Sequence, residues 1–347
     1  MRIKKDIKEL TPYFIDEKPV RFKLDANESP YDLENTDKDR LLAFLGDINL
    51  NRYPDPNCKT LRRLVAQKEN VEENQIVFGN GSDELLYLLM MCLEEKAVIS
   101  FPMPGFSMYA ISGKIFGKEQ LSYELSEPYY SINEESFDTV MRREPHLCYI
   151  ANPNNPTGNC FPDEILEKYL GNENIIFVSD EAYADFSGKS FKSKLKDFKN
   201  LLIMKTFSKI GFASIRLGYL IGNRELISHI EKVRLPYNIN SFTQKVAEFY
   251  LKNNDLVEQH ISDIINERKR VSLELTALGV YQLPSNANFI TFKIEKNGFY
   301  DFLINNGILV KDLYPSFKMK HYFRFTIGRR EENDYFIKIL RQFVEEE

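Results

Sequence analysis

Short, continuous apolar runs recur through the first two thirds of the chain, and stretches with helical spacing separate many of them. A strand that is buried on both faces of a parallel sheet is apolar throughout, whereas a half-exposed strand alternates. The predicted strands are Ile76–Phe78, Ala97–Ser100, Leu147–Ala151, Ile175–Ser179, Leu201–Lys205 and Leu217–Ile221. Helical spacing at Asp83–Glu94 and Pro162–Leu170 completes the alternation that is typical of a doubly wound α/β sheet.

The pattern changes after about residue 240. A long stretch with helical spacing covers Phe242–Leu278, and a strand at Asn288–Ile294, a helix near Gly298–Asn306 and a strand at Tyr322–Ile327 precede a helical end. This order predicts a second, smaller α+β domain. We expect a large domain at residues 31–235, and a small domain in which an N-terminal arm, residues 1–30, joins residues 236–347.

The composition is that of an ordinary globular protein, with 43% hydrophobic and 28% charged residues and a net charge of −5 over 347 residues. Positive charge is not clustered, so we expect no nucleic-acid partner. No apolar run approaches the ~18 residues of a membrane span, and no apolar segment follows the charged start. The four cysteines and four histidines show no metal spacing, so we expect a cytoplasmic protein with reduced thiols and no metal site.

Four of the predicted strands are followed by polar segments whose side chains could form a binding or catalytic site. Ligands of a doubly wound sheet bind beyond the carboxyl ends of its strands. The segments are Gly79–Glu84 (GNGSDE), Asn152–Gly158 (NPNNPTG), Ser179–Tyr183 (SDEAY) and Thr206–Lys209 (TFSK). They offer a phosphate cradle, an amide, an acid with a phenol, and a hydroxyl beside a lysine. A phosphorylated, nitrogen-containing aromatic aldehyde needs this combination.

In order and spacing, these four segments resemble those of fold-type I aminotransferases that depend on pyridoxal 5'-phosphate (PLP). The resemblance runs from Leu24 to the C-terminal helix. Further segments look like those of histidinol-phosphate aminotransferases, namely Leu10–Tyr13 (LTPY), Leu24–Pro30 (LDANESP), Arg52–Pro56 (RYPDP) and Arg324–Gly328 (RFTIG). The resemblance implies a PLP-dependent transfer of an amino group between L-histidinol phosphate and 2-oxoglutarate, in histidine biosynthesis.

Lys209 and Asp180 are the first two candidate catalytic residues. A lone lysine is usually a protonated surface residue with a pKa of about 10.4. The resemblance implies instead that Lys209 holds PLP as a Schiff base and moves the substrate proton. Asp180 ends an apolar strand, where an unpaired carboxylate is costly. It is either a cap or loop acid, or, as the resemblance implies, the partner of the cofactor's ring nitrogen.

The resemblance also assigns residues to the cofactor's ring and phosphate. Tyr183, the third candidate catalytic residue, and Asn155 would bind the ring oxygen, although the NPNNP turn could be purely structural. Phe106 would stack on the ring, or it is a core aromatic. The phosphate would lie at the helix start with Ser82 and Asp83, completed by Ser208 and Arg216. The interval from Lys209 to Arg216 is one residue shorter than is common in the family, so we expect a tighter loop.

Tyr53 lies in a proline-rich turn, where an ordinary loop tyrosine is the simple interpretation. The resemblance implies that it reaches the cofactor phosphate of a partner subunit in a homodimer.

The substrate end is predicted around Arg324. Strand alternation places Arg324 on the face opposite Phe323 and Phe325, and its planar fork of donors suits a carboxylate or phosphate. Lys311 stands where histidinol-phosphate aminotransferases often have a second arginine, and it supplies a cation without a fork. Tyr13 and Asn27 resemble residues near the other end of the substrate, or they belong to an arm that only packs.

Other functions fit parts of this pattern. An aromatic-amino-acid transaminase or a phosphothreonine-type decarboxylase would share the cofactor residues and differ in substrate. A dinucleotide-binding oxidoreductase would need a third glycine after Gly79 and Gly81 and would leave Lys209 without a role. A non-catalytic PLP-binding regulator would need an N-terminal DNA-binding module, for which we find no sequence signal.

Overall fold

The computed structural model describes residues 3–10, 18–253 and 255–345. The strands are β1 (Phe22–Lys23), β2 (Ile76–Gly79), β3 (Val98–Met103), β4 (Glu119–Ser126), β5 (Ser131–Ile132), β6 (Leu147–Ala151), β7 (Ile176–Asp180), β8 (Leu201–Thr206), β9 (Gly218–Gly222), β10 (Tyr281–Gln282), β11 (Phe289–Lys293), β12 (Ile308–Leu309), β13 (Lys311–Asp312) and β14 (Tyr322–Thr326). The helices are α1 (Lys5–Glu9), α2 (Asn35–Leu45), α3 (Lys59–Glu69), α4 (Ser82–Cys92), α5 (Ser107–Phe116), α6 (Glu134–Met141), α7 (Asp163–Leu170), α8 (Ala184–Ser187), α9 (Arg224–Val233), α10 (Ser241–Lys252), α11 (Asp255–Ala277), α12 (Phe299–Asn305), α13 (Tyr314–Phe317) and α14 (Arg330–Glu345).

An eight-stranded sheet dominates the molecule, in the order β2-β9-β8-β7-β6-β3-β4-β5. The neighbours from β8 to β4 run parallel, whereas β9 is antiparallel to both β2 and β8. All six strands predicted from apolar runs belong to this sheet, so the predicted α/β fold is confirmed. β4 was not predicted, because half of its residues face solvent and its sequence is largely polar.

The sheet is covered on both faces, which explains the continuous apolar runs. Tyr149 and Ile150 are consecutive residues of β6 and are buried in two different hydrophobic clusters. The cluster around Tyr149 includes apolar residues of α4, α5 and α9. Since neither face of a central strand meets water, the charged residues of these strands lie at or next to the strand ends, as Asp180 and Lys205 do.

A second, antiparallel sheet has the order β10-β11-β14-β13. The N-terminal arm joins this part of the molecule through β1, which pairs in parallel with β12. The helical stretch predicted at 242–278 is two helices instead of one, α10 and α11. Asn253 ends α10 with non-helical backbone angles, and its side chain donates to the oxygen of Phe249 at 2.8 Å, so local hydrogen bonding replaces the helical pattern there.

The division into domains at 1–30, 31–235 and 236–347 stays a prediction. In the described part of the chain, no helix is long and apolar enough to cross a membrane.

Candidate active site

A cavity of about 830 Å³ opens beyond the carboxyl ends of β6, β7 and β8 and extends to the second sheet. Its volume lies within the range of ordinary small-molecule sites. The residues that were predicted for the site and that line the cavity are Asn27, Ser82, Asp83, Phe106, Asn155, Asp180, Tyr183, Ser208, Lys209, Arg216, Lys311 and Arg324. Residues that are up to about 300 positions apart in the chain therefore meet in one site.

Among the described residues that were predicted for the site, Tyr53 does not line this cavity. Tyr53 is 80% exposed and stacks on Tyr237, with ring centroids 4.6 Å apart. Tyr13 lies outside the described residues.

Lys209 lies in a kinked turn, Ser208–Phe212, directly after β8. Gly211 adopts a φ of 113°, which side-chain-bearing residues rarely adopt, so a glycine lets the chain turn back here. The Lys209 ammonium donates to the backbone oxygen of Ala26 at 3.4 Å and lies 5.8 Å from the centre of the Tyr183 ring. The turn thus aims the partly buried amine at the arm and at Tyr183.

Asp180 is the last residue of β7 and is almost completely buried. Burial raises the pKa of its carboxyl group to about 6. Hydrogen bonds from the Tyr109 hydroxyl and the Ala182 amide favour the ionised form and partly offset this rise. The Tyr109 hydroxyl donates to one carboxylate oxygen at 2.6 Å, and the Ala182 amide donates to the other at 3.2 Å. The Asp180 carboxyl group is therefore buried and fixed by hydrogen bonds, and it is not a solvated loop residue.

Asn27 connects the N-terminal arm to Tyr183 by a hydrogen bond. Its side-chain amide donates to the Tyr183 hydroxyl at 2.9 Å, and its own backbone amide donates to the Thr326 hydroxyl of β14 at 3.0 Å. Asn27 is only 1% exposed and has a φ of 55°, a left-handed conformation that asparagine tolerates better than most residues. The arm is thus part of the cavity wall.

One end of the cavity combines donors suited to a phosphate. The Arg216 guanidinium donates to Asp83 at 3.0 Å and to the Ser208 hydroxyl at 3.4 Å, beside the start of α4. A Cβ atom at Gly81 would lie 2.6 Å from a guanidinium nitrogen of Arg216, so only glycine allows this approach. Arg216 has a φ of 50°, and the short loop before it still brings it to Ser208.

Arg324 and Lys311 lie at the other end. They are directly opposite each other on β14 and β13, so both side chains lie on the same face of the sheet. On the opposite face, Phe325 stacks on Phe336 with ring centroids 4.1 Å apart, which confirms the predicted alternation. The Arg324 guanidinium donates to the side-chain oxygen of Asn155 and, at 2.7 Å, to the backbone oxygen of Asp25.

Several residues that line or support the cavity have no role predicted from the sequence. Lys18, Lys23, Asp25, Tyr300 and Phe317 line the cavity, and of these only Asp25 lies in a segment singled out from the sequence, Leu24–Pro30. Tyr109, which binds Asp180, does carry a signal. It follows Phe106 by three residues at a helix start, and such residues lie on one face of a helix.

The chain matches a family model. The model described as aminotransferase class I and II matches residues 20–340. A histidinol-phosphate aminotransferase of Caldanaerobacter subterraneus subsp. tengcongensis is 35% identical, covering 99% of this chain and 98% of that protein. One of Pyrococcus furiosus is 38% identical, with 98% of both chains covered.

Solved structures agree with the fold. The histidinol-phosphate aminotransferase of Clostridium acetobutylicum superposes with a TM-score of 0.85 at 25% identity, covering 93% of this chain and 99% of that one. That of Sinorhizobium meliloti, solved in complex with pyridoxal-5'-phosphate, has a TM-score of 0.86 at 22% identity and covers 99% of this chain and 97% of that one. The second likeness supports the fold alone.

Proposed function

Because the chain belongs to the class I and II aminotransferase family, we propose that it is a histidinol-phosphate aminotransferase, which moves an amino group between L-histidinol phosphate and 2-oxoglutarate in histidine biosynthesis. The observation that carries the proposal is that Arg324 and Lys311 lie side by side in the same cavity as Lys209 and Asp180. One end of the site can therefore hold an anion while the other performs PLP chemistry. The names of the similar proteins support the same substrate.

The enzymes of this family depend on PLP, and the residues of the cavity fit that cofactor. Asp180 offers a buried carboxylate for the ring nitrogen, and Tyr183 and Asn155 offer donors for the ring oxygen. Arg216 and Ser208 lie beside the start of α4, where Gly81 leaves room that a Cβ atom would fill. When bound, PLP supplies an aromatic ring that accepts the electrons released at the substrate's Cα atom.

We assign the proton-moving role to Lys209. Its amine would hold the cofactor at rest and, once free, would carry the proton that leaves the substrate's Cα atom. In the described structure the amine lies in the cavity lining, in contact with the backbone oxygen of Ala26 and the Tyr183 ring. Asp180 holds the proton on the ring nitrogen and so maintains the ring as an electron acceptor.

The remaining residues orient the cofactor. Phe106 lies before α5 on the cavity wall, where its ring can cover one face of the cofactor ring. Ser82, Asp83, Ser208 and Arg216 form the phosphate end. Since Asp83 is an anion itself, we infer that it acts by holding Arg216 in place, at 3.0 Å.

Arg324 and Lys311 form the substrate's anion site. The phosphate of the amino donor and the carboxylate of 2-oxoglutarate would use it in turn, since each substrate leaves before the other binds. Asn27 would support the site from the arm through its bonds to Tyr183 and Thr326. For Tyr13 we propose only the substrate contact that the resemblance implies.

We propose a homodimer in which Tyr53 serves the partner's site. Tyr53 is 80% exposed and stacks on Tyr237, so its side chain is accessible to a second copy of the chain. A second copy of the chain would cover this surface and bring the hydroxyl group to the partner's phosphate end.

The test is the absorption spectrum of the purified PLP-loaded protein on addition of single amines. Histidinol phosphate should convert the cofactor from its aldehyde form to its amine form at far lower concentration than phenylalanine or tyrosine, and 2-oxoglutarate should reverse the change. Equal conversion by phenylalanine or tyrosine would instead identify an aromatic-amino-acid transaminase. Release of carbon dioxide from O-phosphothreonine would identify a decarboxylase.

A further inference from the structure

Tyr109 lies outside the cavity lining and contacts two residues that do line it, Asp180 and Phe106. Its side chain is fully buried, and its hydroxyl donates to an oxygen of Asp180 at 2.6 Å. A short hydrogen bond to an ionised acceptor, away from water, is among the stronger interactions that a protein side chain makes. The contact therefore influences both the orientation and the charge of Asp180.

The Tyr109 ring has little freedom to move. It stacks on Tyr149 of β6 with ring centroids 4.4 Å apart and an interplanar angle of 7°, and Phe106 packs edge-on against it at 5.5 Å. The backbone amide of Tyr109 also donates to the oxygen of Phe106 at 3.2 Å. One rigid unit thus joins the aromatic residue proposed to cover the cofactor ring and the carboxylate proposed to bind its nitrogen.

The hydroxyl of Tyr109 keeps its proton and so remains a donor. Burial raises its pKa well above the ordinary value, and the negative charge of Asp180 raises it further. Of the interactions that lower the pKa of Asp180, the hydrogen bond from Tyr109 is the largest. Without this bond, burial would favour the neutral acid, which cannot stabilise a protonated ring nitrogen.

We propose that Tyr109 is a positioning residue for Asp180, and that its hydroxyl fixes the carboxylate and keeps it ionised so that it can hold the proton on the cofactor's ring nitrogen. The inference rests on the proposed role of Asp180, and it does not depend on which amine the enzyme uses. It adds a residue that acts through Asp180 without touching the cofactor.

Tyr149 provides a matched control within the same stack. Its ring lies parallel to that of Tyr109 and is just as buried, yet its hydroxyl group has no hydrogen-bond partner among the described residues. Tyr109→Phe and Tyr149→Phe therefore remove the same atom from neighbouring buried rings. Only the first removes a bond to Asp180.

The experiment compares two ligands of the apoprotein at equilibrium, PLP and its analogue in which a C–H group replaces the ring nitrogen. The ratio of their dissociation constants measures what the ring nitrogen contributes, and a general loss of stability weakens both ligands alike. The wild type should prefer PLP. Tyr109→Phe should lower that preference about tenfold, as expected for a lost hydrogen bond to a charged group, and Tyr149→Phe should change it less than about twofold.

The pH dependence provides a second measurement. The preference for PLP should fall as Asp180 is protonated, and in Tyr109→Phe this fall should occur at higher pH than in the wild type. Asp180 also interacts electrostatically with three other ionisable groups, Lys209, Asp83 and Tyr149. These groups are the same in both proteins. If Tyr109→Phe does not fold, Tyr109→Met fills much of the same volume without a donor and should show the same loss.

Each outcome has a distinct meaning. An unchanged preference in a folded Tyr109 variant, or an equal loss in Tyr149→Phe, overturns the role of Tyr109. Asp180→Asn should abolish the preference; if it does not, the proposed role of Asp180 fails and the inference fails with it. If Asp180→Asn abolishes the preference and Tyr109→Phe leaves it intact, only the inference about Tyr109 is wrong.

Discussion

The guanidinium group of Arg324 and the side-chain oxygen of Asn155 form a buried hydrogen bond across the cavity. Arg324 belongs to the small antiparallel sheet, whereas Asn155 follows β6 of the large sheet. A second bond, from Arg324 to the backbone oxygen of Asp25, joins the N-terminal arm to the same group. Arg324, the cation proposed to bind the substrate, is therefore positioned by the N-terminal arm and by Asn155, which is also proposed to bind the cofactor.

Arg324→Met should weaken histidinol phosphate and 2-oxoglutarate together, because both anions are proposed to use this cation. Loss of a charge-assisted, largely buried contact costs about 2–4 kcal/mol, or roughly 30- to 1000-fold in kcat/KM. Steady-state kinetics with each substrate varied in turn measure the effect. Arg330→Met is the control, because that side chain is 74% exposed and lies outside this cavity. A loss confined to one substrate would contradict a shared anion site.

Lys311→Met should affect the amino donor more than 2-oxoglutarate. A phosphate dianion loses more than a carboxylate when a neighbouring cation is removed, by about 1 kcal/mol. Lys311→Arg should retain or improve activity, because a planar fork can hold a phosphate bidentately. Single-turnover measurements of the two half-reactions separate the effects. If Lys311→Met changes neither half-reaction, the phosphate assignment fails.

Lys209→Ala should retain some PLP without a covalent bond and lose amino transfer by several orders of magnitude. The physical reason is that Lys209 is the proposed proton carrier as well as the attachment point. In the wild-type protein, borohydride reduction followed by mass spectrometry should find the cofactor on the peptide that contains Lys209. Lys189→Ala, an exposed lysine, is the control and should retain both labelling and activity. Labelling of another lysine would disprove the assignment.

Hybrid dimers test the proposed role of Tyr53. Subunits carrying Tyr53→Ala and subunits carrying Lys209→Ala should each be weakly active alone. In a mixed dimer, one of the two sites has both wild-type residues, so part of the activity should return. Verified heterodimers without any recovery would show that Tyr53 acts within its own chain.

The buried carboxylate of Glu69 should contribute pH-dependent stability. Burial alone would raise the pKa of Glu69, but Lys205, the Tyr219 hydroxyl and Lys192 lower it to about 2, from an ordinary value of 4.5. The pKa in the folded protein lies below the unfolded value. The stabilisation is therefore fully present above pH 4.5 and is lost as the pH falls towards 2.

Glu69→Gln should therefore destabilise the protein by about 3 kcal/mol at pH 7, because it leaves two lysines without their buried counter-charge. Urea unfolding of the apoprotein at pH 7 and at pH 3 measures the effect, and the difference from wild type should shrink at the lower pH. Glu173→Gln, at an exposed position, should change stability little at either pH. A loss for Glu69→Gln that is equal at both pH values would exclude the ionised carboxylate as its cause.

Continuous apolar runs along the chain predict where the central strands lie in the sequence, because such runs arise where both faces of a strand are buried. The same property places polar segments at strand ends and so points to Asp180 and Lys209. The order of the strands in the sheet was not predicted. β4 was not predicted, because a half-exposed strand near the sheet edge mixes polar and apolar residues. The break at Asn253 was not predicted either, because polar residues such as Asn253 also fit the exposed face of one long helix.

The sequence by itself thus determined which segments are proposed to carry chemistry, because each polar motif follows within a few residues of a predicted strand. Only the tertiary structure decided which of them meet. Asn27, Asn155 and Arg324 are more than 100 residues apart from one another, and their contacts depend on how the arm and the second sheet pack against the first. The bond between Tyr109 and Asp180 is of the same kind, because no local pattern says which buried hydroxyl of two stacked tyrosines lies within 2.6 Å of a carboxylate.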